Sequence, residues 1–147
     1  MSNWTHVAGV MRIDDLRFDE TKMPDFDKIF GKTLRFEDDW PEDLESRKDE
    51  YLPIGSEGSL EMSVHVNEDI HSMAAYVVTI FGDLRDHDSP DEIINWFKKK
   101  YNLVNSSDEV IGGVRNACIV AENEWNGTKI WTACVKTKTI ETEEEEE

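Results

Sequence analysis

The sequence is poor in cysteine and lacks long apolar runs, and each shortage excludes a class of protein. Two cysteines among 147 residues are too few for a disulfide-stapled secreted domain, and they indicate a reducing compartment. No apolar run reaches the roughly 18 residues of a transmembrane helix. The first residues also lack the basic flank and apolar core of a signal peptide. We therefore expect a cytoplasmic protein with no membrane partner.

Positive charge is scarce as well. The chain has 16 Lys and Arg against 33 Asp and Glu, so its net charge is −17. Because a block of like charges repels itself, we predict one globular domain over residues 1–140 and a disordered poly-Glu tail over residues 141–147. Direct nucleic-acid binding is disfavoured, because phosphate contacts need clustered Lys and Arg. The charge favours a basic partner.

Catalytic signatures are missing. The sequence has no GxSxG motif, no phosphate-binding loop and no dinucleotide-binding fingerprint. Neither Cys118 nor Cys134 has a histidine nearby in the sequence to activate it. We therefore predict that the protein is not an enzyme and needs no cofactor.

What the sequence does contain is a succession of strand and helix patterns. Residues 4–13 form an apolar strand, and residues 24–30 a short helix that begins at Pro24. Residues 59–66 alternate apolar and polar side chains, which predicts an edge strand with one wet face. Residues 73–81 are apolar on both faces, which predicts an interior strand.

The second half of the chain predicts a helix and a hairpin. Ser89 and Glu92 form a capping box for a helix over residues 90–102. Asn126-Gly127 is the preferred centre of a two-residue hairpin turn between strands at 114–124 and 129–137. That turn places Ile119 opposite Cys134, so the two cysteines are expected on opposite sheet faces, which disfavours a disulfide.

The order β-α-β-β-α-β with one extra C-terminal hairpin strand predicts an α+β fold, the ferredoxin-like split βαβ sandwich with a mainly antiparallel sheet. A repeat supports this topology: Asp15-Leu16-Arg17 before Pro24-Asp25 resembles Asp83-Leu84-Arg85 before Pro90-Asp91. The fold contains two βαβ halves related by pseudo-twofold symmetry. Symmetry therefore explains the repeat better than duplicated chemistry does.

The segments "NWTHVAGVMRIDDLRF" and "FGDLRD" together resemble uncharacterised small proteins of bacteriophages that infect gut bacteria. The resemblance implies a viral or mobile-element origin, and hence location in the host cytoplasm. It implies no site residue, because those proteins carry no motif of known function.

One alternative is a site for a divalent metal or a small ligand. We expect the first and third strands to be adjacent and parallel, so that their carboxyl ends meet. Asp15, Asp83, Asp86 and His87 would then lie together and offer oxygen and imidazole ligands. Helix capping and local ion pairs account for the same acids without a metal.

The main prediction is an acidic interaction protein, such as a phage-encoded inhibitor of a host defence or nucleic-acid-binding protein. Ordered carboxylates would mimic phosphates toward a basic host surface. A sheet with helices on one face also leaves its other face bare, to be covered by residues 32–57, by a second copy or by another protein. A structural virion component is a further alternative. The predicted partner-binding residues are Glu37, Asp38, Asp39, Trp40, Glu42, Asp43 and Trp131.

Overall fold

The chain folds as an α+β domain with one sheet. The computed structural model describes residues 2–15, 23–35, 40–67, 75–108, 110, 112–134 and 137–144, the last range by its backbone alone. The strands are β1 (Trp4–Asp15), β2 (Glu61–Val66), β3 (Tyr76–Arg85), β4 (Gly112–Asn123), β5 (Gly127–Cys134) and β6 (Thr137–Glu144). The helices are α1 (Phe26–Phe30) and α2 (Pro90–Ser106), with a 3-10 helix at Leu44–Glu50. Among these described residues, no helix is long and apolar enough to cross a membrane.

The six strands form one antiparallel sheet in the order β2-β3-β1-β4-β5-β6. The α+β class and the antiparallel sheet predicted from the sequence are confirmed, as is the edge position of β2. β1 lies next to β3 as expected, but the prediction that they are parallel is wrong: Trp4 pairs with Arg85 and Ile13 with Tyr76. In the sheet, β3 lies between β1 and β2 and runs antiparallel to both strands.

Both helices begin at side-chain caps. The Asp25 carboxylate accepts the amide of Lys28 (3.2 Å), so α1 begins two residues after Pro24. The Ser89 hydroxyl accepts the amide of Glu92 (3.2 Å) at the start of α2. α2 continues to Ser106, beyond the predicted end at residue 102, because Val104 extends its buried stripe with no exposed surface.

The core lies between the sheet and α2, and we call this side of the sheet the covered face. Its centre is built from fully buried side chains of β1, β3, β4 and α2, among them Met11, Ile80, Ile119 and Phe97. Trp131 of β5 is 2% exposed and packs edge-on against Phe97 (5.9 Å between ring centroids) and Tyr101 (5.1 Å). Trp131, which was predicted to contact a partner, therefore lies in the core instead of on the bare face.

The cause of that error is the hairpin register. The turn spans three residues, Glu124 to Asn126, and Gly127 follows it with a φ of 89°, as in a type I turn with a bulge. Asn123 stabilises the turn, since its Oδ1 accepts the amides of Trp125 and Asn126.

As a result Ile119 pairs with Trp131 rather than with Cys134. A register shift of three residues moves every side chain of β5 to the opposite face. Cys118 pairs with Thr132, so Cys118 and Cys134 lie on one face instead of two, and no disulfide joins them.

The acidic C-terminal segment also differs from the prediction. The backbone of Thr137–Glu144 forms β6, with Lys129 opposite Glu143 and Thr128 opposite Glu144. Residues 141–144, assigned from composition to a disordered tail, therefore belong to the sheet. Hydrogen bonds between the main chains of neighbouring strands hold β6 against β5, and these bonds do not depend on side-chain charge. Residues 145–147 lie outside the described residues.

Candidate functional site

The candidate site is the face of the sheet opposite to α2, which we call the open face. One row of residues crosses four strands at its centre: Phe81 is opposite Ala8, Ala8 opposite Val120, and Val120 opposite Ile130. Phe81 is 41% exposed, which is high for a phenylalanine in the interior of a sheet. Val10, Cys118 and Val77 extend this apolar centre along their strands. The open face is therefore apolar in the middle, and none of the residues that the structure describes covers it.

No described segment of the chain covers the open face. The segment at residues 32–57, one candidate for this role, packs on the opposite side of the sheet where it is described. There Leu52 is 1% exposed within the core, and Tyr51 forms a bridge with Lys32 beside α1. This candidate cover is excluded for the described residues.

Acidic side chains border the apolar centre. Glu61 of β2 continues the central row beyond Phe81. The neighbouring row toward the β4–β5 turn contains Asp83, His6 and Glu122, which face one another across β3, β1 and β4. Asp83 has a side chain that is 64% exposed, and Glu122 is exposed too. The tip of the adjoining turn carries Trp125, which is 63% exposed.

His6 links two of these acids. Its Nδ1 lies 2.6 Å from Oδ1 of Asp83, and its Nε2 lies 3.2 Å from Oε2 of Glu124. The hydrogen bond to Asp83, followed by the one to Glu124, raises the pKa of the imidazole above its ordinary value. Both carboxylates favour the protonated imidazole, and protonation places a positive charge inside the acidic border.

The structure does not bring the predicted metal ligands together. Asp15 pairs with Gly112 at one end of β1, and Asp83 lies opposite His6 near the other end. Nine residues of extended strand separate His6 from Asp15, a distance of about 30 Å. This alternative site assumed parallel strands, but β1 and β3 are antiparallel, so their carboxyl ends lie at opposite ends of the sheet and Asp15 is not brought to Asp83.

The other two predicted ligands have separate surroundings. The Asp86 carboxylate accepts a hydrogen bond from Ser56 (2.9 Å). His87 lies 3.7 Å from Glu92 and its side chain is 11% exposed. Within the described ranges, no group of three or more His, Cys, Asp or Glu side chains could hold a metal ion.

The predicted acidic partner-binding segment is described only in part, because Glu37, Asp38 and Asp39 lie outside the described residues. Trp40 is half-buried and its Nε1 donates to the carbonyl of Arg35 (2.9 Å). Glu42 and Asp43 are exposed, and Asp43 lies 3.5 Å from Arg47.

Sequence reasoning missed His6, Glu122 and Glu124. Because side chains alternate along a strand, His6 lies on the same face of β1 as Ala8 and Val10. A polar His6 was therefore a usable signal that this face is exposed. Its pairing with Asp83 follows only from the antiparallel arrangement of β1 and β3, which the sequence analysis had reversed.

Comparison with known proteins finds no family model, no curated protein and no solved structure that matches the chain. Function is therefore inferred from the geometry of the open face.

Proposed function

We propose that the protein is a non-enzymatic interaction protein whose open face binds an apolar patch bordered by Lys and Arg on another protein. The observation that carries this proposal is the uncovered row Phe81, Ala8, Val120 and Ile130 with acids beside it. Interfaces commonly combine an apolar centre with a charged rim, and exposed apolar patches of this kind mark binding sites.

Charge decides between a second copy and a different partner. Two copies meeting through their open faces would bring Asp83, Glu122 and Glu61 of each chain toward one another, and each chain carries a net charge of −17. Like charges across an interface cost free energy, whereas a basic partner gains both affinity and association rate. A basic partner is therefore preferred over a homodimer.

The resemblance to phage proteins supports a host protein as the partner. An inhibitor of a host defence or nucleic-acid-binding protein would occupy a basic surface that otherwise contacts phosphates. The exposed acids Glu42 and Asp43 add to the negative field on another part of the surface. In this proposal the open face supplies most of the affinity, and the remaining acids accelerate the encounter.

The proposal includes the topology. The strand order β2-β3-β1-β4 and the placement of α2 between β3 and β4 in the chain support a ferredoxin-like split βαβ arrangement, extended by β5 and β6. The repeat fits this arrangement, because Asp15 and Asp83, the first residues of the two copies, lie at opposite ends of the sheet.

The test uses variants that change the open face without touching the core. Wild type, Phe81→Asp and Leu103→Asp are immobilised and exposed to bacterial lysate at low and at high salt. Leu103 is the matched control, since it is 42% exposed but lies on α2, on the other side of the sheet. Captured proteins are then purified, and their affinities for all three variants are measured.

The proposal expects a purified partner whose affinity falls at least about tenfold for Phe81→Asp, which corresponds to about 1.4 kcal/mol, and is unchanged for Leu103→Asp. Its association rate should fall with salt. The proposal is wrong if Phe81→Asp binds the partner as wild type does. It is also wrong if sedimentation shows a wild-type dimer that Phe81→Asp dissociates, because the second copy is then the occupant.

A further inference from the structure

A cavity of about 430 Å³ lies apart from the open face, between the segment at residues 44–54, the β3–α2 loop and the first turns of α2. Its size falls within the range of small-molecule sites. Much of its wall is apolar: Leu44 and Leu52 come from the segment at residues 44–54, and Ile93 from α2. Such a wall suits a ligand with an apolar body.

Two aromatic side chains and an imidazole complete the wall. Tyr51 and Trp96 are half-buried and approach from opposite elements. Two nitrogens of the wall residues, Nε1 of Trp96 and Nδ1 of His87, are buried without a hydrogen-bond partner in the part of the chain that the structure describes. Thr5 and Asn123 hold the His87 carbonyl, so the loop that carries the imidazole is fixed in place.

The charged side chains around the cavity are mostly acidic. Asp49, Asp86, Asp88 and Glu92 line it, against the single amine of Lys48, which already pairs with Glu45 (3.1 Å). The dipole of α2 accounts for Asp88 and Glu92. It does not account for Asp49, in the segment at residues 44–54, or for Asp86, before the helix begins. Acids from three separate parts of the chain therefore line one cavity, although Asp49 also lies 3.9 Å from Lys99.

From this combination we infer that the cavity binds a small organic amine with an apolar or aromatic body. The ammonium group would lie toward the acids. Cation–π contacts with Tyr51 and Trp96 would also stabilise its positive charge. An anionic ligand of the same shape would be repelled. The inference does not depend on the proposed function, because the cavity and the open face share no residue.

Phenethylamine is a suitable probe, with 2-phenylethanol as the neutral and 3-phenylpropionate as the anionic analogue. Binding is followed through amide resonances in ¹H–¹⁵N spectra and through the indole N–H signal of Trp96. For a fragment of this size we expect a saturable dissociation constant of about 1 mM at low salt. The alcohol should bind about tenfold more weakly, and the carboxylate should not bind.

Two variants locate the charge. Asp88→Asn should weaken phenethylamine binding about threefold to tenfold. Asp91→Asn is the matched control, since Asp91 is the nearby acid in the first turn of α2 and does not line the cavity. The spectra themselves report whether each variant is folded.

Three results would each overturn the inference. The first is an absence of saturable shifts around the cavity with phenethylamine. The second is equal affinity for the amine and the alcohol, since the acids then play no part. The third is an equal loss of affinity in Asp91→Asn and Asp88→Asn, because the effect would then reflect the net charge of the protein rather than this cavity.

Discussion

The two faces of the sheet are built from the same strands but differ in how deeply their side chains are buried. On β4, Ile119 is fully buried against the core while its neighbour Val120 is half-buried on the open face. On β5, Trp131 and Ile130 divide in the same way. Apolar side chains on the covered face stabilise the fold, whereas those on the open face contribute less to folding and remain available for binding. Substitutions on the two faces should therefore separate stability from recognition.

The largest effect is expected on the covered face. Phe97→Ala removes a fully buried ring that packs against Trp131 and Trp96, and should lower the free energy of unfolding by about 3–5 kcal/mol. Urea titration followed by circular dichroism measures it. Leu103→Ala, on the exposed side of the same helix, should cost less than about 1 kcal/mol. Equal losses for both would mean that α2 does not pack as described.

A second comparison uses neighbours on one strand. Ile119→Ala should cost about 2–5 kcal/mol, because the site is fully buried. Val120→Ala should cost less than about 1 kcal/mol, because the side chain is only half-buried. The same urea titrations compare them. If Val120→Ala proved as costly as Ile119→Ala, something would have to cover the open face.

The sequence was sufficient where a pattern is local. The α2 helix followed from its cap and stripe, and the α+β class from the order of the elements. It failed where the answer depends on how distant strands meet. Asn126-Gly127 predicted a two-residue turn, but the side chain of Asn123 accepts two turn amides and fixes a three-residue one, which moved Trp131 to the core.

The candidate site shows the same limit. The open face was expected from the arrangement of helices, and the apolar character of residues 73–81 on both faces agreed with it. The pairing of His6 with Asp83 and Glu124 joins residues 77 and 118 positions apart. No local pattern carries that information, and the assumption of parallel β1 and β3 directed attention to Asp15 instead.

A smaller effect on stability is expected from Lys100 of α2, the one buried cation among the described residues. Lys100 is 7% exposed, and burial lowers the pKa of its amine, with the neighbouring Lys99 acting in the same direction. The charged form is therefore less stable in the folded protein than in the unfolded chain. Lys100→Met should raise the free energy of unfolding by about 1 kcal/mol at pH 7.

The pH dependence gives the sign of this effect. The pKa of the Lys100 amine is lower in the folded state than in the unfolded chain. The destabilisation by its charge is therefore complete below the folded-state pKa, and it disappears as pH rises toward the unfolded-state pKa of about 10.4. Thermal unfolding of wild type and Lys100→Met should therefore converge as the pH approaches 10. A constant difference across that range would show that packing, not charge, separates them.

The smallest effect belongs to the open face. The pKa of His6 is raised, so its two hydrogen bonds add stability below about pH 6.5 that is lost as pH rises through the folded-state pKa. All three side chains are substantially exposed, so we expect less than about 1 kcal/mol. Titration of the imidazole by NMR should show the raised pKa in wild type and a lower one in Asp83→Asn. An unchanged imidazole pKa in Asp83→Asn would show that the hydrogen bond between His6 and Asp83 does not form.

The position of β1 in the sheet has a consequence for synthesis on the ribosome. β1 comes first in the chain but lies between β3 and β4, and Thr5 pairs with Asn123. The centre of the sheet therefore cannot close until about five-sixths of the polypeptide has been made. Pairing across such separations is slow to form, and the nascent strand stays exposed meanwhile. The emergence of β4 from the ribosome, rather than that of β1, should therefore set the earliest moment at which the sheet can close.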